Sequence, residues 1–84
     1  MISKEELLGY LQTDLGIDTS QVVDSTPLFS SGIIDSFSLV SLLTFVETTC
    51  AFKVSPLEVN LDNMDSIERL MGFIRRKTEG QQQT

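Results

Sequence analysis

Asp35-Ser36-Phe37 is the part of this sequence with most to offer chemistry. A serine hydroxyl can serve as a nucleophile or as the acceptor of a transferred group. The triplet lies where a stretch without apolar period meets a strongly helical pattern. That places Ser36 at a helix start, with free backbone N–H groups and the positive end of the helix dipole around it. A phosphate ester on such a serine is favoured electrostatically. On the residues alone, the plainer reading is a helix-start serine that only satisfies backbone donors.

Hydrolytic machinery is missing. The 84 residues contain no histidine, so neither a Ser-His-Asp nor a Cys-His triad can be built. Zinc sites of the His/Cys kind lack ligands for the same reason. A Glu or Lys base is conceivable, which leaves an enzyme using Ser36 as nucleophile as a third-ranked alternative. Cys50 falls on an apolar stripe and reads as a small core residue. Met64 and Met71 read as core filling. Asp62-Asn63-x-Asp65 faintly suggests a calcium loop but lacks its glycine and its later bidentate glutamate, so loop and cap roles are expected. Arg75-Arg76-Lys77 is placed in the last turn of a helix, where cations favour the dipole.

These residues need elements to hold them. A first helix is expected from about Ser3 to Leu15. Ser3 and Glu6 have capping-box spacing, and Ile2 and Leu7 fit the flanking staple. Leu7, Leu8, Leu11 and Leu15 form its stripe, and Gly16 suits the left-handed residue that ends it. From Ile17 to Asp35 a long loop follows, with Leu28, Phe29, Ile33 and Ile34 expected to pin it; loops this long tend to be functional.

The second helix is expected over Ser36 to Ala51, with Asp35 as N-cap. Leu39, Leu42, Leu43, Val46 and Cys50 make its core face, and Leu43 and Val46 stand mid-stripe. Ser55-Pro56-Leu57-Glu58 announces a short third helix ending before Asp62-Asn63. A fourth starts near Asp65-Ser66, with Asp65 and Glu68 at capping-box spacing and Ile67, Leu70, Met71 and Ile74 as its stripe. Residues 1–79 thus read as one domain, and 80–84 as a frayed tail.

The overall composition narrows the partners. Twelve acids against six bases give a formal charge of −6, which suits a basic protein surface and not nucleic acid. A single cysteine excludes an internal disulfide and fits a reducing compartment. No segment approaches the roughly 20 apolar residues of a membrane span. The start of the chain is acidic where a signal peptide would be basic. A cytoplasmic monomer is expected.

Leu28-Phe29-Ser30-Ser31-Gly32-Ile33-Ile34-Asp35-Ser36-Phe37 resembles the attachment loop of acyl carrier proteins, in which a glycine precedes an Asp-Ser-Leu or near variant opening the second helix. The order of helices is also that family's order. Ser55-Pro56-Leu57-Glu58-Val59 to Asn63-Met64-Asp65-Ser66-Ile67 resembles its third-helix region. The resemblance implies an all-α, acyl-carrier-like bundle of three main helices plus one short helix, with a long first loop. It implies a non-catalytic carrier whose serine, here Ser36, receives 4′-phosphopantetheine from coenzyme A and holds cargo as a thioester. It also implies that Asp35 helps a phosphopantetheinyl transferase hold its metal ion. Acyl- or aminoacyl-activating enzymes, and condensing or acyl-transfer enzymes, are the further partners.

Fatty-acid carriers usually have a strongly acidic second helix, whereas here only Glu47 follows the Asp35 cap. Phe37 replaces the commoner leucine, and Gly32 stands four residues before Ser36. Phe29-x-x-Gly32-x-Ile34-Asp35-Ser36 is closer to stand-alone D-alanyl and aminoacyl carriers, or to carriers of specialised pathways. Phe37 and Val40 fall off the core face beside Ser36, and with Thr44 and Glu47 they form the expected docking surface. Phe45 also leaves the stripe, toward either the first helix or solvent. A housekeeping fatty-acid carrier is the nearer alternative. A helical interaction module without prosthetic group is the alternative of a different class.

Overall fold

Ser3 and Glu6 exchange hydrogen bonds at the start of α1, Lys4–Thr13: Glu6 N–H donates to Ser3 Oγ at 3.1 Å and Ser3 N–H to Glu6 Oε1 at 3.0 Å. Ile2 and Leu7, flanking that box, are both buried. The helix stops two residues short of the expected Leu15, and the chain turns at Gly16, whose φ is +68°. Ile17 N–H then bonds back to the Leu11 carbonyl at 2.9 Å.

The computed structural model describes residues 2–82, with side chains to Glu79. After the long loop come α2, Ser36–Cys50, a 3₁₀ turn at Pro56–Glu58, α3, Leu61–Met64, and α4, Ile67–Gln82. Among the described residues there is no strand, and the fold is the all-α bundle expected. Its core joins Leu7 and Leu11 of α1, Leu28 and Ile34 of the loop, Leu42 and Val46 of α2, and Ile67, Leu70, Phe73 and Ile74 of α4.

Several expectations need correction. Ile33 is exposed and does not pin the loop; Leu28 and Ile34 do, with Phe29 half-buried. Leu43 and Cys50 pack at the edge of the core, half-buried, and Leu42 with Val46 forms the centre of the stripe. The single short third helix is two pieces. Ser55 and Glu58 box the 3₁₀ turn, and Asn60 Oδ1 caps α3 by accepting from Asn63 N–H at 3.0 Å. Asp62 and Asn63 therefore lie inside a helix. Ser66, not Asp65, caps α4: its Oγ accepts from Arg69 N–H at 3.1 Å.

The cations at 75–77 are not in a last turn, because α4 continues to Gln82. Arg76 and Lys77 brace α4 instead. Arg76 Nη2 donates to Asn63 Oδ1 at 3.0 Å, and Lys77 Nζ pairs with Glu58 at 3.1 Å while lying 5.7 Å from the Phe52 ring centroid. Of the tail expected at 80–84, the backbone of 80–82 is helical, and Gln83 and Thr84 lie outside the described residues.

α2 ends on Ala51, held at φ 59° and ψ 42°. This left-handed conformation crowds a Cβ and favours glycine. Ala51→Gly should therefore stabilise the domain by about 0.5–1 kcal/mol, the relief of strain outweighing the added freedom of the unfolded chain. Urea denaturation checks this, and an unchanged or lower midpoint would show that the conformation costs nothing.

Candidate functional site

The site is built at the N-terminus of α2. Asp35 is extended, at φ −94° and ψ 178°, and its Oδ1 accepts from Ser38 N–H at 2.8 Å. That backbone bond, with a further one from the Ser38 hydroxyl, holds the Asp35 carboxyl below the usual carboxylate range. Ser36 is the first helical residue and is exposed. Its N–H and that of Phe37 have no carbonyl one turn earlier to bond. No acidic residue occupies the first turn of α2, and the Asp35 carboxylate is directed chiefly to Ser38, with a lesser interaction from the Phe37 N–H. A phosphodiester on Ser36 would thus meet the helix dipole favourably and project into solvent.

The loop before Ser36 is a closed turn. Ile34 N–H bonds to the Leu28 carbonyl at 2.9 Å, and within that ring Gly32 N–H bonds to the Phe29 carbonyl at 3.0 Å. Gly32 has φ +83°, a value that glycine adopts without strain. A residue from the far side of the chain holds this ring. Asp65 Oδ1 accepts from Phe29 N–H at 2.7 Å and Ser30 N–H at 3.0 Å, and its Oδ2 accepts from Ser30 Oγ at 2.7 Å. The Asp65 carbonyl takes Leu28 N–H at 2.7 Å. The Ser30 hydroxyl first, then the backbone donors, lower the Asp65 pKa. The sequence offered Asp65 as a helix cap and as part of a faint calcium-loop pattern, not as a clasp on this turn. Its partners lie about 35 residues away, and no local pattern reports such a contact.

Phe37 and Val40 are 80% and 64% exposed. With Thr44 they line one open groove between α1 and α2, whose floor is the stacked pair Tyr10 and Phe45, ring centroids 4.3 Å apart. Phe45 thus meets the first helix. Tyr10 is fixed further by its hydroxyl, which donates to the Ser41 carbonyl at 3.1 Å. Glu47 belongs elsewhere. It faces a second groove with Lys53 and Lys77, and its Oε2 accepts from Val54 N–H at 2.7 Å. Thr44 lies between the two and donates to the Val40 carbonyl at 3.0 Å.

On the other flank of α2, one turn past Ser36, Leu39 lines a nearly apolar groove with Phe29, Val59, Leu61 and Met64. Leu57 and Leu61 stand exposed at the 3₁₀ turn and α3. These residues escaped sequence reasoning because both elements are too short to show an apolar period. Among the described residues no acid or cysteine cluster is placed to hold a metal ion. No helix among them is long and apolar enough to cross a membrane.

A family model described as a phosphopantetheine attachment site matches residues 5–74. Comparison with curated proteins and with solved structures gave no match.

Proposed function

Because the chain belongs to the phosphopantetheine attachment-site family, and so is a carrier protein bearing 4′-phosphopantetheine, we propose that Ser36 is the attachment residue. We further propose that the protein presents an acyl or aminoacyl group to partner enzymes in a specialised or aminoacyl pathway. The bound group supplies a terminal thiol that holds the cargo as a thioester. The observation behind this reading is the exposed Ser36 at the first position of α2, with its cap already satisfied by Ser38.

The chain's own contribution is placement. Asp35 fixes the start of α2, so the Ser36 hydroxyl faces solvent on a rigid element and can be reached by a transferase. Asp35 is also exposed enough to meet that enzyme's metal ion. With no histidine in the sequence, the base that takes the hydroxyl proton is assigned to the transferase. The carrier itself is non-catalytic and acts in the cytoplasm. Treatment with coenzyme A and a phosphopantetheinyl transferase should add one phosphopantetheine to the intact mass. An unchanged mass with an active transferase would overturn the reading in favour of an interaction module.

The specialised or aminoacyl pathway is supported by the surface of α2. Ser38, Ser41, Thr44 and Thr48 stand where a fatty-acid carrier would place acids, and the one acid, Glu47, is engaged by Val54 N–H. Exposed charge pairs contribute about 0–1 kcal/mol each. Covering Phe37 or Val40 contributes about 1.5–3 kcal/mol apiece if burial is complete. Docking of the loading enzyme is therefore mainly apolar. Phe37→Ala should slow loading more than Glu47→Gln, which removes the charge but keeps an acceptor for Val54. Loading should weaken only modestly as salt rises. Loading rates at low and high ionic strength check this; a steep salt dependence, with Glu47→Gln the worse variant, would show electrostatic docking.

A further inference from the structure

We propose that Asp65, at the α3–α4 junction, is a positioning residue for attachment: it holds the loop before Ser36 in the one shape a transferase can engage. The proposal rests on the assignment of Ser36 as the attachment site and adds to it a residue remote in sequence.

The loop's donors converge on one residue. Four of them, the N–H groups of Leu28, Phe29 and Ser30 and the Ser30 hydroxyl, end on Asp65. Leu28 and Ile34 bury their side chains at the two ends of the ring, but the residues between them are exposed or half-buried. Apolar contact therefore fixes the ends of the ring, with Phe29 packed half-buried against the core, and leaves its crest, the exposed stretch from Ser30 to Ile33, to hydrogen bonds. There Ser30 is tied to the rest of the bundle by the Asp65 carboxylate, which also takes the Phe29 N–H. A loop short of buried contacts opens readily when such ties are cut.

Ser36 itself does not depend on Asp65. It sits on α2, started by Asp35 and anchored by Leu42 and Val46. Removing the clasp should leave the serine and its helix intact while the neighbouring crest samples many shapes. If only a fraction of carriers presents the competent shape, apparent affinity falls by that fraction. Once the carrier is bound, the reacting hydroxyl stands where it did before. The signature is a raised KM for the carrier with kcat largely kept. General destabilisation does not produce this signature while the protein remains folded.

The experiment is steady-state loading by a phosphopantetheinyl transferase with coenzyme A, on the full chain, with stability measured in parallel. Asp65→Ala should raise the carrier KM about tenfold with little change in kcat, and Ser30→Ala, which cuts one of the four ties, about two- to threefold. Asp65→Asn keeps an acceptor for the Phe29 and Ser30 N–H groups and should recover part of the loss. Amide exchange at Phe29 and Ser30 should speed up in Asp65→Ala. Phe52→Leu serves as the control, since this buried residue lies beyond the opposite end of α2; it should lose stability without raising KM.

An unchanged KM in Asp65→Ala, or an equal rise in Phe52→Leu, overturns the proposal. Should Asp65→Ala fail to fold, Ser30→Ala and Asp65→Asn decide, and an unchanged KM in both overturns it. A parent protein that accepts no phosphopantetheine would instead refute the assignment of Ser36.

Discussion

Ser36→Ala should fold as the parent does and take up no phosphopantetheine. The substitution removes an exposed hydroxyl. It leaves the hydrogen bond from Ser38 N–H to Asp35 that caps the helix, and alanine is the best helix former. No compensating loss of structure is expected, so the effect is all-or-none on loading and near zero on stability. Other serines stand close by. Ser30 and Ser31 lie in the preceding turn, but their hydroxyls donate to Asp65 and to the Pro27 carbonyl. Ser38 is half-buried and engaged with Asp35. Ser36 stands apart from these as an exposed hydroxyl at the first position of the helix. Intact mass after transferase treatment checks the result, with circular dichroism confirming the fold. Mass gained by the variant would move the arm to another residue.

The second large effect is on folding. Leu42 is fully buried at the centre of the α2 stripe. Truncating such a leucine to alanine costs about 2–5 kcal/mol in lost burial and residual cavity. A domain of this size has about 5–15 kcal/mol of stability to lose. Leu42→Ala is therefore expected to be severely destabilised. Leu43→Ala should cost no more than about half as much, because its side chain is only half-buried and part of its surface is already in water. Sequence periodicity alone places Leu43, with Val46, in the middle of the stripe. Denaturant titration of both variants decides the order, and Leu43→Ala proving the worse would return the stripe's centre to that position.

The difference between those leucines shows how far a periodic pattern can be read. Apolar residues three and four apart define a helical stripe several residues wide. Which member reaches the bottom of the core depends on the elements packed opposite. Here Leu28 and Ile34 from the loop and the stripe of α4 close over Leu42 and Val46. Phe45 is a similar case. Its departure from the stripe was visible, but its stacking on Tyr10 required α1 to be in place.

The sequence by itself determined what depends on neighbours a few residues away. The capping box of α1, the Asp35 cap, the proline-led turn at Pro56 and the boundaries of α2 to within one residue are all local. Each is a short-range exchange between a side chain and a nearby backbone donor, so composition and spacing suffice to find it. Tertiary structure decided the rest. Asp65 has cap-like spacing to Glu68, yet its carboxylate went to Phe29 and Ser30 while Ser66 took the cap. Glu47, legible as the one acid of α2, was claimed by Val54 N–H, and Arg76 and Lys77 were drawn to Asn63 and Glu58. In each case a polar side chain had more than one possible partner. The choice was made by which unpaired backbone or charged group the folded chain brought within reach, and that depends on how the helices pack, which no local spacing encodes.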